Sequence, residues 1–112
     1  MEIQIRRRSD VQLVQLKGHL RLGQPVDDLR RDLEEMLSVG DTRVVLDMSQ
    51  VPMIDSSGIG LLVKYLTTTK EAGGTLKLIN PSDFATKTLK MTGVLNLFEV
   101  FHDEEEAINS FQ

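Results

Sequence analysis

The stretch that decides the fold is residues 43–66, which read RVVLDMSQVPMIDSSGIGLLVKYL. Its first part, residues 43–48, is almost continuously apolar and β-branched, which is typical of a strand covered on both faces. Such strands are usually parallel and central. From Asp55 onward the chain predicts a helix that begins at Asp55 or Ser56 as its N-cap and ends before Gly73-Gly74. A buried strand that leads directly into a helix is the repeating unit of an α/β fold.

The N-terminal part predicts a hairpin followed by a helix. Residues 2–8 and 11–17 are of strand length, and the polar pair Ser9-Asp10 between them predicts a tight turn. The segment from Gly18 to Gln24 is a connector, and Pro25 fits the first turn of a helix that stops at Gly40. The apolar residues of this helix recur every three or four positions, at Val26, Leu29, Leu33, Met36 and Leu37.

The remaining chain continues the alternation of strands and helices. It predicts a strand at 75–79, a helix from Pro81-Ser82-Asp83 to Gly93, a strand at 97–101 and a last helix that carries Ala107, Ile108 and Phe111. The order is β-β-α-β-α-β-α-β-α. This pattern predicts a single α/β domain over 1–112, with about four helices and a mixed, mostly parallel sheet whose first strand is attached antiparallel at an edge.

Composition excludes several classes of protein. The 112 residues include 13 Lys and Arg against 17 Asp and Glu, a formal net charge of −4, which disfavours non-specific nucleic-acid binding. No apolar run approaches the roughly 20 residues of a membrane span, so we expect no direct membrane insertion. There is no Cys, and the first ten residues lack the apolar stretch of a signal peptide. We therefore expect the protein in the cytoplasm.

The sequence offers little support for an enzyme. The P-loop pattern is absent, and Gly58-Ile59-Gly60 is followed by Val63 where a dinucleotide fingerprint needs a third Gly. The only two histidines, His19 and His102, cannot build a histidine metal cluster. A Ser-His-Asp hydrolase is disfavoured because no G-x-S-x-G elbow is present. We predict no catalytic residue, no metal ligand and no cofactor.

Two runs of charge have structural interpretations. Arg6-Arg7-Arg8 could hold a phosphate or an acidic partner, but an edge strand commonly carries charges that discourage further pairing. The acids from Asp103 to Glu106 are best interpreted as N-terminal residues of the last helix that complement its dipole, and Asp103 with Glu106 resembles a capping box.

The informative segment is Asp55-Ser56-Ser57-Gly58, where two hydroxyls lie at a helix N-terminus after a buried strand. One serine suffices for a helix cap, so a second is left over. At about 100° per residue, one face of the helix carries Ile59, Leu62, Val63 and Leu66 and is predicted to be core. The opposite face carries Ser57, Leu61, Lys64 and Thr68, with Tyr65 at its border, and is predicted to be a docking surface.

A phosphate on Ser57 would control such a surface. It would add about −1.5 to −2 charges beside Asp55. Helix N–H groups stabilise an anion there, but a desolvated interface does not. The hypothesis is therefore that phosphorylation releases a partner without unfolding the domain.

These residues resemble a known family. The run from Val44 to Ser49, the segment from Met53 to Leu61, the pair Gly73-Gly74 and the segment Met91-Thr92-Gly93-Val94 together are similar to the STAS domain, specifically the bacterial anti-sigma factor antagonists. The segment D-S-S-G-I-G resembles the phosphorylation site of those antagonists, and M-T-G-V resembles their M-S-G-L segment. The likeness covers nearly the whole chain.

The resemblance implies a partner switch. The unphosphorylated protein would bind an anti-sigma factor that is also a serine kinase, so that the sigma factor is released. The kinase, which holds ATP and Mg²⁺, would phosphorylate Ser57, or alternatively Ser56, and a metal-dependent phosphatase would restore the active form. The predicted partner-binding residues are Asp55, Ser56, Ser57, Gly58, Gly60, Leu61, Lys64 and Thr68. The free protein is predicted to be a monomer.

Other functions are open at this point. Related STAS domains serve as docking subunits of ABC-type lipid transporters, as stress-signalling scaffold modules, and as ligand-binding or transporter-appended domains. A transport subunit would dock through the same helix without reversible phosphorylation. A small esterase, by contrast, would bind a fluorophosphonate probe covalently at Ser56 or Ser57.

Overall fold

The fold is seen in a computed structural model that describes residues 1–111. The predicted domain also includes Gln112, which lies outside the described residues. The order of elements agrees with the predicted one, with a short 3₁₀ turn added before the last strand. The elements are β1 Glu2–Arg8, β2 Val11–Lys17, α1 Gln24–Ser38, β3 Arg43–Gln50, α2 Ser56–Glu71, β4 Thr75–Ile79, α3 Asp83–Met91, the 3₁₀ turn Leu95–Leu97, β5 Val100–Phe101 and α4 Glu104–Asn109.

The five strands form one sheet in the order β1-β2-β3-β4-β5. The β1 strand pairs antiparallel with β2, and every later pair is parallel, which confirms the predicted mixed sheet with an antiparallel edge. The hairpin between β1 and β2 turns at Ser9 and Asp10, whose φ angles of 51° and 63° match a two-residue turn of the type that suits twisted strands. Because β2 to β5 are parallel, their carboxyl ends meet at one edge of the sheet.

The helices cover the two faces of the sheet unequally. Helices α1, α2 and α3 contribute to one large cluster of buried side chains, which includes Leu46, Leu62 and Leu89. Helix α4 closes a smaller cluster on the other face, with Val11, Val45, Ile79, Ala107 and Ile108. The alternation of Val44, Val45 and Leu46 between these clusters shows that β3 is buried on both faces, as its apolar sequence predicts.

The predicted strand at 97–101 is wrong at its beginning. Leu97 belongs to the 3₁₀ turn, where its N–H donates to the carbonyl oxygen of Val94 at 3.0 Å. Only Val100 and Phe101 pair with β4, through Leu78 and Ile79. Because Leu95–Leu97 forms the 3₁₀ turn and Phe98 is buried in the large cluster, the chain first reaches β4 at Glu99, whose carbonyl oxygen accepts from the N–H of Leu78 at 3.0 Å.

The two charge runs of the sequence contact one another. Arg6 donates to Glu104 at 2.7 Å, and Arg8 donates to Glu104 at 2.8 Å and also pairs with Glu105. Asp103 caps α4. Its carboxylate accepts from the N–H of Glu105, whereas the predicted capping box pairs Asp103 with Glu106. The arginine side chains are exposed to half-exposed, as expected at a sheet edge, and they also tie β1 to α4.

A lysine lies beneath α4. The side chain of Lys77, on β4, is nearly buried, and its ammonium donates to Ser110 Oγ at 2.7 Å and pairs with Glu99 at 3.0 Å. It also lies 4.2 Å from the ring centre of Phe111, within the range of a cation–π contact. These contacts attach the segment that follows α4 to the β4 strand.

In residues 1–111 no helix is long and apolar enough to cross a membrane.

Candidate functional site at the start of helix α2

The N-terminus of α2 is capped by Asp55, as predicted. Asp55 Oδ1 accepts from the N–H of Gly58 at 2.9 Å, and Oδ2 accepts from the N–H of Leu22 at 2.9 Å. The bonds from Leu22 and Gly58 stabilise the carboxylate, so they hold the pKa of Asp55 below its ordinary value. One side chain therefore joins the β2–α1 connector to the beginning of α2.

Backbone contacts complete this junction. Leu20 N–H donates to the Met53 carbonyl at 3.0 Å, and Asp55 N–H donates to the Leu20 carbonyl at 3.1 Å. Gly58 packs against the same connector so closely that a Cβ there would lie 2.7 Å from the Leu20 carbonyl oxygen. Glycine is therefore required at position 58 by a close approach of backbone to backbone. The junction is tightly constrained on both sides of Asp55.

The two serines begin the helix. Ser56 is its first residue and is exposed, and Ser57 follows it half-buried. Within residues 1–111 neither hydroxyl forms a hydrogen bond with another protein group, so both are available for chemistry or for a partner. The structure brings both candidate acceptors to the same helix opening.

The predicted docking face of α2 is partly wrong. Leu61 and Tyr65 are only 4% and 3% exposed, and both belong to the large buried cluster to which α1 and α2 contribute. The Tyr65 hydroxyl donates to Glu34 Oε1 on α1 at 3.0 Å. Burial, together with this bond, raises the pKa of Tyr65 to about 12. Leu61 is therefore a core residue.

The exposed face of α2 is rotated about the helix axis relative to the predicted docking face. Gly60, Lys64 and Thr67 are exposed, and Val63, predicted to be core, is only half-buried. Thr68 is half-buried, and its hydroxyl donates to the Lys64 carbonyl at 2.9 Å.

Of the other predicted contact residues, five are accessible and one is buried. Asp55, Ser56, Ser57, Gly60 and Lys64 remain accessible at least in part. Gly58 is buried against Leu20 and is withdrawn from the surface.

Sequence reasoning missed the neighbours that the β2–α1 connector supplies. Leu22 is 74% exposed and Met53 is 46% exposed. Between the two loops is a surface cavity of about 360 Å³, lined by His19, Leu20, Arg21, Met53, Ile54 and Asp55. An apolar residue in a connector that is otherwise rich in Gly and polar residues was the available signal for Leu22. Its position beside Asp55 was not visible from the sequence.

The two histidines follow different strands. His19 comes after β2 and His102 after β5, and β3 and β4 lie between those strands in the sheet. Among residues 1–111 no three His, Cys, Asp or Glu side chains are grouped as metal ligands. The chemistry that the α2 opening offers is therefore that of hydroxyls, backbone N–H groups and one well-stabilised carboxylate.

Comparison with known proteins decides the family. The family model described as the STAS domain matches residues 2–107. The chain belongs to the STAS family. This confirms the resemblance and, with the mixed sheet and four helices, the predicted STAS fold.

Relatives of this STAS domain include bacterial regulators. A Thermotoga neapolitana protein, provisionally named an anti-sigma factor antagonist and a homologue of TM1081, is 27% identical over 79 residues, 70% of either chain. The crystal structure of the Thermotoga maritima protein TM1081 matches with a TM-score of 0.90 and 21% identity, over 97% of this chain and 93% of that one.

A second structural relative is known in a modified form. The Bacillus cell fate determinant SpoIIAA in its phosphorylated form matches with a TM-score of 0.77 and 23% identity, over 99% of this chain and all 100% of that one. At these identities the structural matches establish the fold.

Proposed function

We propose that this STAS domain is an anti-sigma factor antagonist that is switched by serine phosphorylation. In its unphosphorylated form it binds an anti-sigma factor that is also a serine kinase, and the sigma factor is released. The observation that carries the proposal is the pair of hydroxyls, Ser56 and Ser57, which form no hydrogen bond within residues 1–111 and lie at the capped opening of α2 in a chain whose relatives are named as antagonists. The protein acts by binding, as a monomer in the cytoplasm, and not as an enzyme.

The electrostatics of the α2 opening support a switch at Ser57. The helix N-terminus stabilises negative charge, but Asp55 already takes the N–H of Gly58 and brings a carboxylate of lowered pKa. A phosphate on Ser57 would add about −1.5 to −2 charges two residues from that carboxylate. The folded domain tolerates this in water, whereas a partner that closes over the opening would bury like charges together. The modification therefore removes the partner and leaves the fold intact.

The same physics applies to Ser56, which is the alternative acceptor. Ser56 is more exposed, and the preference for Ser57 rests on the resemblance of D-S-S-G to the phosphorylation site of the antagonists. ATP and Mg²⁺ belong to the kinase, and a separate metal-dependent phosphatase restores the active form.

The test is a phosphorylation assay with mapping by mass spectrometry. Recombinant protein is incubated with Mg²⁺-ATP and each candidate anti-sigma serine kinase of the source organism, purified separately. We expect one phosphate on Ser57, retained in Ser56→Ala and lost in Ser57→Ala. A single phosphate that follows Ser56 instead would move the acceptor by one residue and keep the switch.

Binding is measured in parallel by calorimetry. Ser57→Asp should weaken binding of the kinase at least tenfold, whereas Ser38→Asp, which adds the same charge near the end of α1, should not. Full binding with no phosphorylation by any kinase would contradict the switch and favour a constitutive docking subunit, such as that of a lipid transporter.

A further inference from the structure

The β2–α1 connector carries an exposed leucine next to the proposed switch. We infer that Leu22, together with Met53 and the cavity between their loops, forms the anchor site that takes an apolar side chain of the anti-sigma partner beside a carboxylate of that partner. This inference rests on the proposed function, and it adds the chemistry of the partner's contact. We call Leu22, Met53 and the cavity the anchor site.

Exposure is the first observation. Leu22 leaves 74% of its surface in water and Met53 leaves 46%. Met53 lines the cavity together with Asp55, and the N–H of Leu22 is bonded to the carboxylate of Asp55. The cavity of about 360 Å³ is lined by Leu20 and Ile54, which are almost completely buried, and by the more exposed Met53. An apolar patch rimmed by polar residues is the usual mark of a contact surface.

The connector is held in place before any partner arrives. The N–H of Leu22 is bonded to Asp55, and Leu20 is bonded by its N–H and its carbonyl to the β3–α2 loop. The bridge between Leu20 and Ile54 continues the parallel pairing beyond the ends of β2 and β3. Because the backbone of the connector is already ordered, little backbone entropy is lost on binding, so burial of the Leu22 side chain is converted efficiently into affinity.

Charge indicates what kind of partner fits. The chain carries a net charge of −4, but Arg21, which lines the cavity, and Lys64, which lies further along α2, are both exposed. Within residues 1–111 neither of these cations pairs with a carboxylate, and the one carboxylate at the junction, Asp55, is already bonded to two N–H groups. The anchor site thus places the exposed cation Arg21 beside exposed apolar side chains on an acidic protein, which complements an apolar side chain flanked by an acid.

The anchor site is continuous with the proposed switch. Asp55 touches Leu22 through Oδ2 and stands two residues before Ser57. A partner seated on Leu22 and Met53 therefore also covers the α2 opening. Leu22 contributes to the binding affinity in the unphosphorylated state, and phosphorylation of Ser57 prevents the partner from binding there.

The experiment uses a matched pair of exposed apolar residues. Leu22 and Val39 flank α1 at its two ends and are 74% and 71% exposed. The unphosphorylated full chain and its Leu22→Ser and Val39→Ser variants are titrated by calorimetry with the recombinant anti-sigma serine kinases of the source organism. We expect Leu22→Ser to raise Kd about ten- to hundredfold, as for a central contact residue, and Val39→Ser to change it less than twofold.

Two further variants define the chemistry. Leu22→Met should restore Kd to within about threefold, because it returns an apolar side chain of similar volume. Arg21→Glu should slow association and should reduce its dependence on ionic strength, because it removes a rim cation. The thermal midpoints of all variants should agree with that of the wild type, since Leu22 and Arg21 are exposed.

The outcomes separate this inference from the proposed function. If the wild type binds a kinase and Leu22→Ser binds equally well, the anchor site is overturned and the proposed function stands. Equal weakening of kinase binding by Val39→Ser would also overturn the anchor site, since the effect would then come from non-specific hydrophobic contact. If the wild type binds none of the kinases, the proposed function fails and the anchor site fails with it.

Discussion

The backbone N–H of Leu22 donates to Oδ2 of Asp55 at 2.9 Å, although the two residues are 33 positions apart. The other oxygen of the same carboxylate caps α2 at Gly58. Asp55 therefore has two structural tasks, one within its own helix and one across the molecule. The opening of α2 and the β2–α1 connector are expected to respond together when Asp55 is changed.

Replacement of Asp55 tests this double task. Asp55→Ala should lower the free energy of unfolding by about 1–3 kcal/mol, because a helix cap and a second bond are lost. Asp55→Asn should cost less, since its amide oxygen still accepts from Gly58 while its NH₂ group cannot accept from Leu22. Urea unfolding measures both, and Asp27→Asn is the control for loss of an exposed acid, with an expected change below about 0.5 kcal/mol. Equal stability of Asp55→Ala and the wild type would contradict the assignment.

The same carboxylate predicts a dependence on pH. The pKa of Asp55 is lower in the folded protein than its ordinary value of 3.8, because the N–H groups of Leu22 and Gly58 favour the ionised form. Its contribution to stability is therefore complete above the unfolded pKa near 4 and is lost as the pH falls through the folded pKa. Urea midpoints between pH 6 and pH 2.5 should fall more steeply in the wild type than in Asp55→Asn. Parallel curves for the two proteins would show that the carboxylate is not linked to folding.

Gly58 and Gly60 of α2 provide a test and its control, because only Gly58 is closely packed against other residues. Gly58→Ala places a Cβ 2.7 Å from the Leu20 carbonyl oxygen and 2.9 Å from Ile54 Cγ1, so the junction must shift. We expect a loss of about 1–3 kcal/mol. Gly60→Ala meets no atom within 4 Å, and it should stabilise the helix by about 0.5–1 kcal/mol. Thermal midpoints that move in the same direction for both variants would refute the close packing at Gly58.

The buried lysine gives a prediction for the other face of the sheet. Lys77→Met keeps an unbranched apolar stem between the rings of Phe101 and Phe111, and its free energy of unfolding should lie within about 1 kcal/mol of the wild type. Lys77→Ala removes the stem and should cost about 2–4 kcal/mol. Denaturant unfolding distinguishes the two. If Met is as destabilising as Ala, the bonds of the ammonium to Ser110 and Glu99 outweigh the packing of the stem.

Much of the fold was predictable because its signals are local. The apolar run of β3, the alternation in β2 and the helical spacing in α1 each depend on a few neighbouring residues, and each produced the observed element. The boundary of β5 was not predictable in this way. Whether Leu97 continues a strand depends on how Phe98 is drawn into the core, which local pattern does not encode.

The candidate site shows the same division. The sequence places two serines and an acid at a helix opening, and the structure has them there. The helical wheel assigned Leu61 to the surface because a single helix does not reveal how many neighbours cover it. In the folded protein α2 packs against both the sheet and α1, so its buried arc is wider than one face and its exposed strip is displaced toward Gly60, Lys64 and Thr67.

By itself, the sequence determined the order of strands and helices, a helix cap at Asp55 or Ser56 and the presence of two hydroxyls there, because these depend on residues within one or two turns of each other. Only the tertiary structure decided that Leu22 stands next to Asp55, that Arg6 and Arg8 reach Glu104, and that Leu61 is buried. Such contacts join residues tens of positions apart, and their partners are chosen by the packing of the whole sheet and its helices. That packing is a collective property, which local periodicity does not specify.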